Sequence, residues 1–169
     1  ASTHSGEDSI IIKTHIILKK THKDVLTIIV PRHINRVKEI KSIAKNMNLK
    51  NQILNEKNIV NKNADIIVVN SFGVLLKIFN YCKLIFMGKS LLKEKKLVGG
   101  QNPIEAAKLG CKIYHGPYIY NFNEIYKLLR SKFISFEIKN EKDLARNLSI
   151  DFKIKKRTNL KAIRELNDY

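Results

Sequence analysis

The sequence predicts an α/β protein: a doubly wound, Rossmann-like parallel sheet with helices on both faces. Two observations carry this prediction. Short apolar runs such as VLTIIV (25–30) and ADIIVVN (64–70) are typical of strands buried on both faces, and they alternate with segments of helical spacing. The connections are short, and a chain of 169 residues suits one domain, 1–169, better than two.

The first half of the chain predicts two helices and two strands. Apolar residues at helical spacing after a polar start predict a helix from about Glu7 to Thr21. A strand follows at 25–30 and stops at Pro31, and helical spacing returns between Ile34 and Met47. The Asn- and Lys-rich segment up to Asn63 has no clear pattern, and 64–70 is the second strand.

The second half continues the alternation. The predicted elements are a helix at 72–82, a strand at 83–88, a helix at 102–109, a strand at 111–116, a helix at 121–131, a weaker strand at 133–138 and a helix beginning at Asn140. From about residue 150 the chain becomes basic. This tail is predicted to be helical, with Leu160, Ile163 and Leu166 on one face.

The net charge of +17 raises the question of nucleic-acid binding. Lysines outnumber arginines by 26 to 6, and they are scattered over nearly every segment, which favours a compositional origin. No aromatic residues interleave with the basic runs to stack on bases, so nucleic acid is not an expected partner. Attraction to an anionic membrane surface remains an expectation, because summed charge acts without a motif.

Other classes of function lack the residues they need. Cys82 and Cys111 stand far apart with no clustered histidine, so no metal site is expected, and no apolar run reaches the roughly 20 residues of a membrane-spanning helix. The opening ASTHSGE has neither an initiator Met nor a targeting signal, and the sequence is expected to be a piece of a longer chain.

Short segments of polar residues, glycine and proline follow four predicted strands, at Pro31–His33, Asn70–Gly73, Gly88–Ser90 and His115–Pro117. Ligands of doubly wound sheets bind outside the carboxyl ends of the strands. The sequence therefore predicts a site at this edge. The loop from Met87 to Gly100 is polar enough to be a flap over that site, although most such loops only connect elements.

The stretch GGQNPIEAA (99–107) has two interpretations that the residues alone leave open. Asn102 suits the cap of a helix, Pro103 its first position, and Glu105 a reciprocal bond to the cap. Alternatively, Gly99 and Gly100 admit a phosphate to the helix start, and Glu105 accepts from ribose hydroxyls.

Arg32 and His33 are similarly open, as surface residues or as partners of a phosphate. A nucleotide site nevertheless explains glycine turns, an arginine, a hydroxyl residue and a glutamate on one edge. Neither a Walker lysine nor a G-x-G-x-x-G follows a strand, so phosphoryl transfer and dinucleotide chemistry are disfavoured. A nucleotide-sugar donor fits the remaining pattern.

Three stretches resemble one family: ASTHSGE (1–7), IIVPRHINRVKEI (28–40) and GGQNPIEAAKLGCKIYHGPYIYNFNEI (99–125). They resemble the C-terminal half of 3-deoxy-D-manno-octulosonic acid (Kdo) transferases, from Ala1 to about Leu129. The resemblance implies one lobe of a two-lobed GT-B glycosyltransferase without a metal or other cofactor. This lobe would bind CMP-Kdo, while an N-terminal lobe absent from this sequence would supply the catalytic carboxylate and the lipid A precursor, at the cytoplasmic face of the inner membrane of a Gram-negative bacterium.

The resemblance also implies the residues that bind the donor, with no catalytic residue among them. They are Ser2, Thr3, Glu7, Pro31, Arg32, His33, Gly73, Gly88, Ser90, Gly99, Gly100, Asn102 and Glu105. Glu105 would be the ribose partner. Departures from the family pattern are Asn70-Ser71 for Asp-Thr, Val74 for Glu, Lys89 for Gly and Gln101 for His.

Two alternatives remain at this stage. One is the donor lobe of another GT-B enzyme that uses a UDP- or GDP-sugar, and the other is a nucleic-acid-binding module driven by charge alone.

Overall fold

A computed structural model describes residues 1–55, 58–61 and 63–154. These residues form six α-helices, six β-strands and three short 3-10 helices, and helices alternate with strands except that no helix is described between the second and third strands. The helices are α1 (Glu7–Lys19), α2 (Val37–Asn46), α3 (Leu75–Tyr81), α4 (Ile104–Lys108), α5 (Asn123–Ser131) and α6 (Glu141–Lys153). The strands are β1 (Thr27–Ile29), β2 (Asn51–Leu54), β3 (Ile66–Val69), β4 (Leu84–Met87), β5 (Lys112–His115) and β6 (Ser135–Glu137).

All strand pairs are parallel, which confirms the predicted class. The strands form two sheets rather than the single predicted one, in the orders β1-β3-β2 and β4-β5-β6. Residues 1–3 lie between the two sheets at their carboxyl edge. Gly88 N–H donates to the Ala1 carbonyl at 2.8 Å, and Thr3 N–H donates to the Val30 carbonyl at 3.4 Å.

Helices cover both faces of the sheets, because the side chains of each strand alternate between them. In β3, Ile66 and Val68 pack against α1, α2 and α6, whereas Ile67 and Val69 face α3. All four residues of β3 are buried. A strand with apolar cover on both sides has no polar position, which explains its uninterrupted apolar run.

Strand β2 lies in the segment for which the sequence predicted no element. It is an edge strand, and all four of its residues are only half-buried. Its sequence, NQIL, therefore carries neither a buried apolar run nor a strict alternation, and the pattern that revealed the central strands is absent.

The helix boundaries differ from the predicted ones by a few residues. Helix α1 ends at Lys19 rather than Thr21, and Ile34–Arg36 forms a 3-10 turn ahead of α2. Asn140 caps α6 as predicted, since its side chain accepts Asp143 N–H at 3.0 Å. The tail predicted as a helix around Leu160 lies outside the described residues.

Within the described ranges, none of the helices has the length and apolar character that crossing a bilayer requires.

Candidate nucleotide-binding site

The carboxyl ends of β1, β3, β4 and β5 lie at one edge, because the strands within each sheet are parallel and residues 1–3 join the two sheets there. The four polar segments predicted to form a site follow these strands directly. Helices α1 and α4 begin at the same edge. The predicted convergence of the polar segments is therefore present in the fold.

The buried residues at this carboxyl edge form the floor of the candidate site, and Glu7 lies at its centre. Its side chain is completely buried. One carboxylate oxygen accepts Lys89 N–H at 2.7 Å and His4 N–H at 3.0 Å, and the other accepts Ser90 N–H at 2.9 Å and Leu91 N–H at 3.1 Å. Four backbone donors satisfy the carboxylate, so Glu7 fixes the turn after β4 rather than presenting an oxygen to solvent.

Ser90 is equally committed to the scaffold. Its buried hydroxyl donates to the Met87 carbonyl at 2.6 Å and accepts Gly116 N–H at 2.9 Å. The Ser90 carbonyl accepts Tyr118 N–H at 2.9 Å. These bonds join the turn after β4 to the turn after β5.

Close backbone packing explains two glycines of this floor. A Cβ on Gly88 would lie 2.4 Å from the Ser2 carbonyl oxygen, and one on Gly116 would lie 2.1 Å from the Ser90 carbonyl oxygen. Both obstacles are backbone atoms, which cannot turn aside as a side chain can. Only glycine fits at either position.

Lys89 occupies the position where the related pattern has a glycine, and its backbone has φ +57°. Residues with a Cβ pay roughly 1–2 kcal/mol for left-handed backbone. Gly100 N–H donates to the Lys89 carbonyl at 2.6 Å, and the turn is closed despite this strain.

Ser2 and Thr3 line the opposite side of the floor, and both are buried. Thr3 pairs in parallel with Pro31. The Thr3 hydroxyl has no hydrogen-bond partner among the described residues, whereas Ser2 contributes its backbone at φ +53°.

The stretch 99–105 carries part of the predicted helix cap. Gly99 and Gly100 are buried, and the Gly99 carbonyl accepts Asn121 N–H at 3.1 Å. The Asn102 side chain accepts Ile104 N–H at 3.0 Å, but α4 begins at Ile104 and Pro103 is its N-cap residue, one position later than predicted. Glu105 is exposed, and no bond links its carboxylate back to Asn102 within the described part of the chain. The predicted reciprocal bond is therefore not formed.

The predicted site residues thus divide into two groups by burial. The predicted residues that belong to the floor are the buried ones: Ser2, Thr3, Glu7, Pro31, Gly88, Ser90, Gly99 and Gly100. The exposed group can reach a ligand: Arg32, His33, Gly73, Asn102 and Glu105. His33 also meets the His4 ring edge-to-face, with ring centroids 5.8 Å apart.

A second arginine at this edge, Arg36, has a different role. Its guanidinium pairs with the buried carboxylate of Asp8 and with Glu39, so it ties α1 to the start of α2. Burial acts to lower the pKa of Arg36, but the hydrogen bonds that its guanidinium donates to both carboxylates, together with their charges, hold that pKa above its ordinary value. Charge pattern alone did not distinguish this structural arginine from Arg32.

His115 is a buried residue of the floor; the sequence placed it in one of the four polar segments but not among the donor-binding residues. Its Nδ1 lies 2.7 Å from the Gly116 carbonyl oxygen, and its ring packs against Tyr126 at 4.4 Å. Burial lowers its pKa to about 4, and the charge of Arg130 acts in the same direction. Its sequence signal was its position at the end of an apolar strand, directly ahead of Gly116 and Pro117.

Among the residues that the structure describes, no three His, Cys, Asp or Glu side chains cluster as a metal site would require. The edge combines a floor that is held rigid by hydrogen bonds with polar side chains that are exposed to solvent. Such an arrangement suits binding of a polar, charged molecule.

Comparison with known proteins gives consistent relatives. The chain is 30% identical over 155 residues to the 3-deoxy-D-manno-octulosonic acid transferase of Aquifex aeolicus, which covers 92% of this chain and 41% of that protein. It is 32% identical over 129 residues to the Haemophilus influenzae enzyme of the same name, covering 76% of this chain and 29% of that protein. The Rickettsia typhi enzyme is 30% identical over 98% of this chain and 35% of its own length.

No family model matches the chain. Among solved structures, it is similar to the C-terminal CMP-Kdo binding domain of WaaA from Acinetobacter baumannii. The TM-score is 0.83 at 20% identity, over 99% of this chain and 84% of that one. This likeness agrees with the predicted fold, that of one lobe of a GT-B enzyme.

The chain spans well under half the length of these curated relatives. They carry the same name and align with most of this chain, and the structural likeness gives the fold independently of them. The chain therefore belongs to the 3-deoxy-D-manno-octulosonic acid transferase family, as a homologue of one part of its members.

Proposed function

We propose that this chain is the donor-binding lobe of a Kdo transferase and that it binds the nucleotide of CMP-Kdo at the carboxyl edge of its sheets. The observation that carries the proposal is the division of the edge into a rigid floor and an exposed polar group. Glu7 and Ser90 hold the floor through backbone bonds, and Arg32, Asn102 and Glu105 stand exposed around it.

The exposed side chains supply the groups that a nucleotide requires. The guanidinium of Arg32 offers a planar, permanently charged fork of donors that matches a phosphate. Glu105 offers two acceptor oxygens to vicinal ribose hydroxyls. Asn102 precedes Glu105 by three residues, and the bond that its side chain accepts from Ile104 N–H keeps the loop ahead of α4 in place.

In glycosyl transfer the nucleotide departs as a phosphate monoester that gains negative charge. A lobe of this kind contributes by offsetting that charge with Arg32 and fixed backbone N–H groups. The base and the acceptor site belong, in this proposal, to a second lobe. We therefore expect no transferase activity from this chain alone, and turnover by it would overturn the division of roles.

The acceptor and the cellular location are finer parts of the same proposal. We propose that the whole enzyme transfers Kdo to a lipid A precursor at the cytoplasmic face of the inner membrane. The net charge of +17 supports the location, because anionic headgroups attract a basic protein without a specific motif.

Calorimetric titration with CMP, UDP and GDP tests the donor assignment. We expect CMP to bind and to compete with CMP-Kdo, with at least tenfold weaker binding of the two diphosphates. Equal binding of all three would favour the alternative of another nucleotide sugar. Competition by duplex DNA with a steep salt dependence, and none by CMP, would instead indicate a charge-driven nucleic-acid module.

A further inference from the structure

Lys89 lies in the turn after β4 with a left-handed backbone, at φ +57°. Asn48 and Phe133 share this conformation, but each follows the end of a helix, where a left-handed residue closes the last turn. Lys89 follows a strand instead, and glycine would adopt its backbone without strain. Strained residues persist where the surrounding structure fixes them, and they are concentrated at ligand-binding positions.

The backbone groups of Lys89 are both bonded within the floor. Its N–H donates to the Glu7 carboxylate at 2.7 Å, and its carbonyl accepts Gly100 N–H at 2.6 Å. A glycine at this position could make both bonds equally well. What lysine adds to the turn is therefore its side chain.

Lys89 is half-buried, and its ammonium group forms no hydrogen bond or ion pair with the residues that the structure describes. The carboxylate of Glu7, which its backbone contacts, accepts four backbone N–H groups instead. A charged group that is partly removed from water is stabilised by an opposite charge. The ammonium group of Lys89 therefore attracts an anion to the floor.

Arg32 and Lys89 both start from the immediate surroundings of Thr3. Arg32 N–H donates to the Thr3 carbonyl at 3.0 Å, and a Cβ on Gly88, the neighbour of Lys89, would lie 2.7 Å from Thr3 Cα. In the four polar segments that follow the strands, these are the two residues with a permanent positive charge. The carboxyl edge therefore offers a pair of cations to one ligand.

The proposed donor, CMP-Kdo, carries two negative charges, one on its phosphodiester and one on the carboxylate of the sugar acid. Arg32 is the proposed partner of the phosphate, because its planar fork matches two phosphate oxygens. The carboxylate then requires the second cation. The buried negative charge of Glu7 increases this requirement, since it repels an anion that approaches the floor.

We propose that the ammonium group of Lys89 binds the carboxylate of the donor's sugar and so selects a sugar acid over a neutral sugar. The inference rests on the proposed function and adds a specificity-determining residue to it. Glycine at position 89 would make the turn more stable but would remove this charge. The turn thus gives up stability for donor affinity.

Two phosphodiesters of CMP test this role with this chain. One joins CMP to glycolate and carries a carboxylate on the carbon attached to the ester oxygen, as CMP-Kdo does. The other joins CMP to methanol and carries no carboxylate. Calorimetric titration gives the ratio of their dissociation constants, and we expect the glycolate diester to bind about tenfold more tightly, as one charge-assisted bond implies.

Substitutions then assign this preference to one side chain. Lys89→Gln removes the charge and should reduce the ratio to below about threefold, whereas Lys89→Arg should keep it above about fivefold. Lys93→Gln is the matched control, because Lys93 is an exposed lysine of the same loop, and it should leave the ratio in place. Lys89→Gly should lose the preference while its thermal unfolding midpoint rises, so damage to the fold cannot explain the loss.

Equal binding of the two diesters by the unsubstituted chain would overturn the inference and leave the proposed function intact. An equal loss of affinity for both diesters in Lys89→Gln would assign the ammonium group to the phosphate and would also overturn it. The same holds if Lys93→Gln reduces the ratio as much as Lys89→Gln does. If neither diester nor CMP binds, the proposed function fails, and this inference fails with it.

Discussion

The buried carboxylate of Glu7 accepts the backbone N–H of Ser90 at 2.9 Å, across 83 residues of sequence. With the bonds to His4, Lys89 and Leu91, this contact makes the first turn of α1 the support of the turn after β4. The relationship explains why a charged residue lies in the floor of the proposed site without touching a ligand: its partners are backbone donors that otherwise would be unsatisfied.

Replacing Glu7 with Gln tests this support. One acceptor oxygen becomes an NH₂ group that faces N–H donors, and we expect the free energy of unfolding to fall by about 2–4 kcal/mol. Urea denaturation measures the change. Glu39→Gln is the matched control, because Glu39 is exposed, and it should cost under about 1 kcal/mol. Equal effects of the two substitutions would show that the buried bonds contribute nothing special.

The left-handed backbone of Lys89 leads to a stabilising substitution. Lys89→Gly removes the backbone strain at φ +57°. The strain energy exceeds the free-energy cost of the extra conformational entropy that glycine gives the unfolded chain, so we expect the free energy of unfolding to rise by about 0.5–1 kcal/mol. Lys96→Gly is the control in the same loop, since Lys96 has φ −51° and should lose about 1 kcal/mol. Chemical denaturation of both variants checks the opposite signs. A loss at Lys89 would mean that its side chain stabilises the turn more than its backbone strains it.

The close approach at Gly116 predicts a large effect of one methyl group. In Gly116→Ala the new Cβ would meet the Ser90 carbonyl oxygen at 2.1 Å, and shifting this backbone should cost about 3 kcal/mol. Gly73→Ala is the comparison, because nothing lies within 4 Å of its Cβ position. It should lose only about 1 kcal/mol from its φ of +72°. Thermal unfolding ranks the two, and the reverse order would contradict the packing.

These residues also illustrate what the sequence can and cannot reveal. Strands such as β3 are predictable because helices cover both faces, so every residue of the strand is apolar. Because the strands are parallel, their carboxyl ends share one edge, which predicts where the site lies. The roles of Glu7 and Ser90 are not predictable in this way. Both belong to recognisable motifs, but only the fold shows that the Glu7 carboxylate is bonded to backbone N–H groups up to 84 residues away and that the Ser90 hydroxyl is bonded to Met87 and Gly116.

The same limit applies to sheets and edges. The division into two sheets is not visible in the sequence, because the partner of each strand is set by contacts between segments far apart in the chain. Edge strand β2 is only half-buried, so its sequence shows neither a run of apolar residues nor a strict alternation of apolar and polar ones. The exposed residues Arg32 and Glu105 were selected by chemistry and resemblance, and their exposure is what a ligand-binding role requires.

Buried His115 predicts a loss of stability in mild acid. Its folded pKa of about 4 lies below the ordinary value of 6.5, so the unfolded chain binds more protons between these values. The contribution of neutral His115 to the free energy of unfolding is complete above pH 6.5 and falls by about 3 kcal/mol as the pH drops to about 4.

Denaturation at intervals from pH 7 to pH 4 measures the slope. His115→Gln removes the titrating group and should flatten this part of the profile, whatever its effect at pH 7. His33→Gln is the control, because His33 is exposed and its removal should leave the slope in place. Parallel profiles for the protein and His115→Gln would contradict a buried neutral imidazole.

Glu105 distinguishes a nucleotide site from a helix cap. Its carboxylate is exposed and makes no bond back to Asn102 among the described residues, so Glu105→Ala should leave the unfolding midpoint within about 2 °C. If Glu105 accepts from ribose hydroxyls, the loss of two charge-assisted bonds should weaken CMP binding by about tenfold to a hundredfold. Calorimetry on the same preparation gives both the affinity and the fraction of competent protein. The matched control is Asp24→Ala, which removes one exposed negative charge ahead of β1, at the opposite edge of the sheets, and should leave affinity within about twofold. An unchanged affinity in Glu105→Ala would remove Glu105 from the site, and an equal loss in both variants would reduce its effect to net charge.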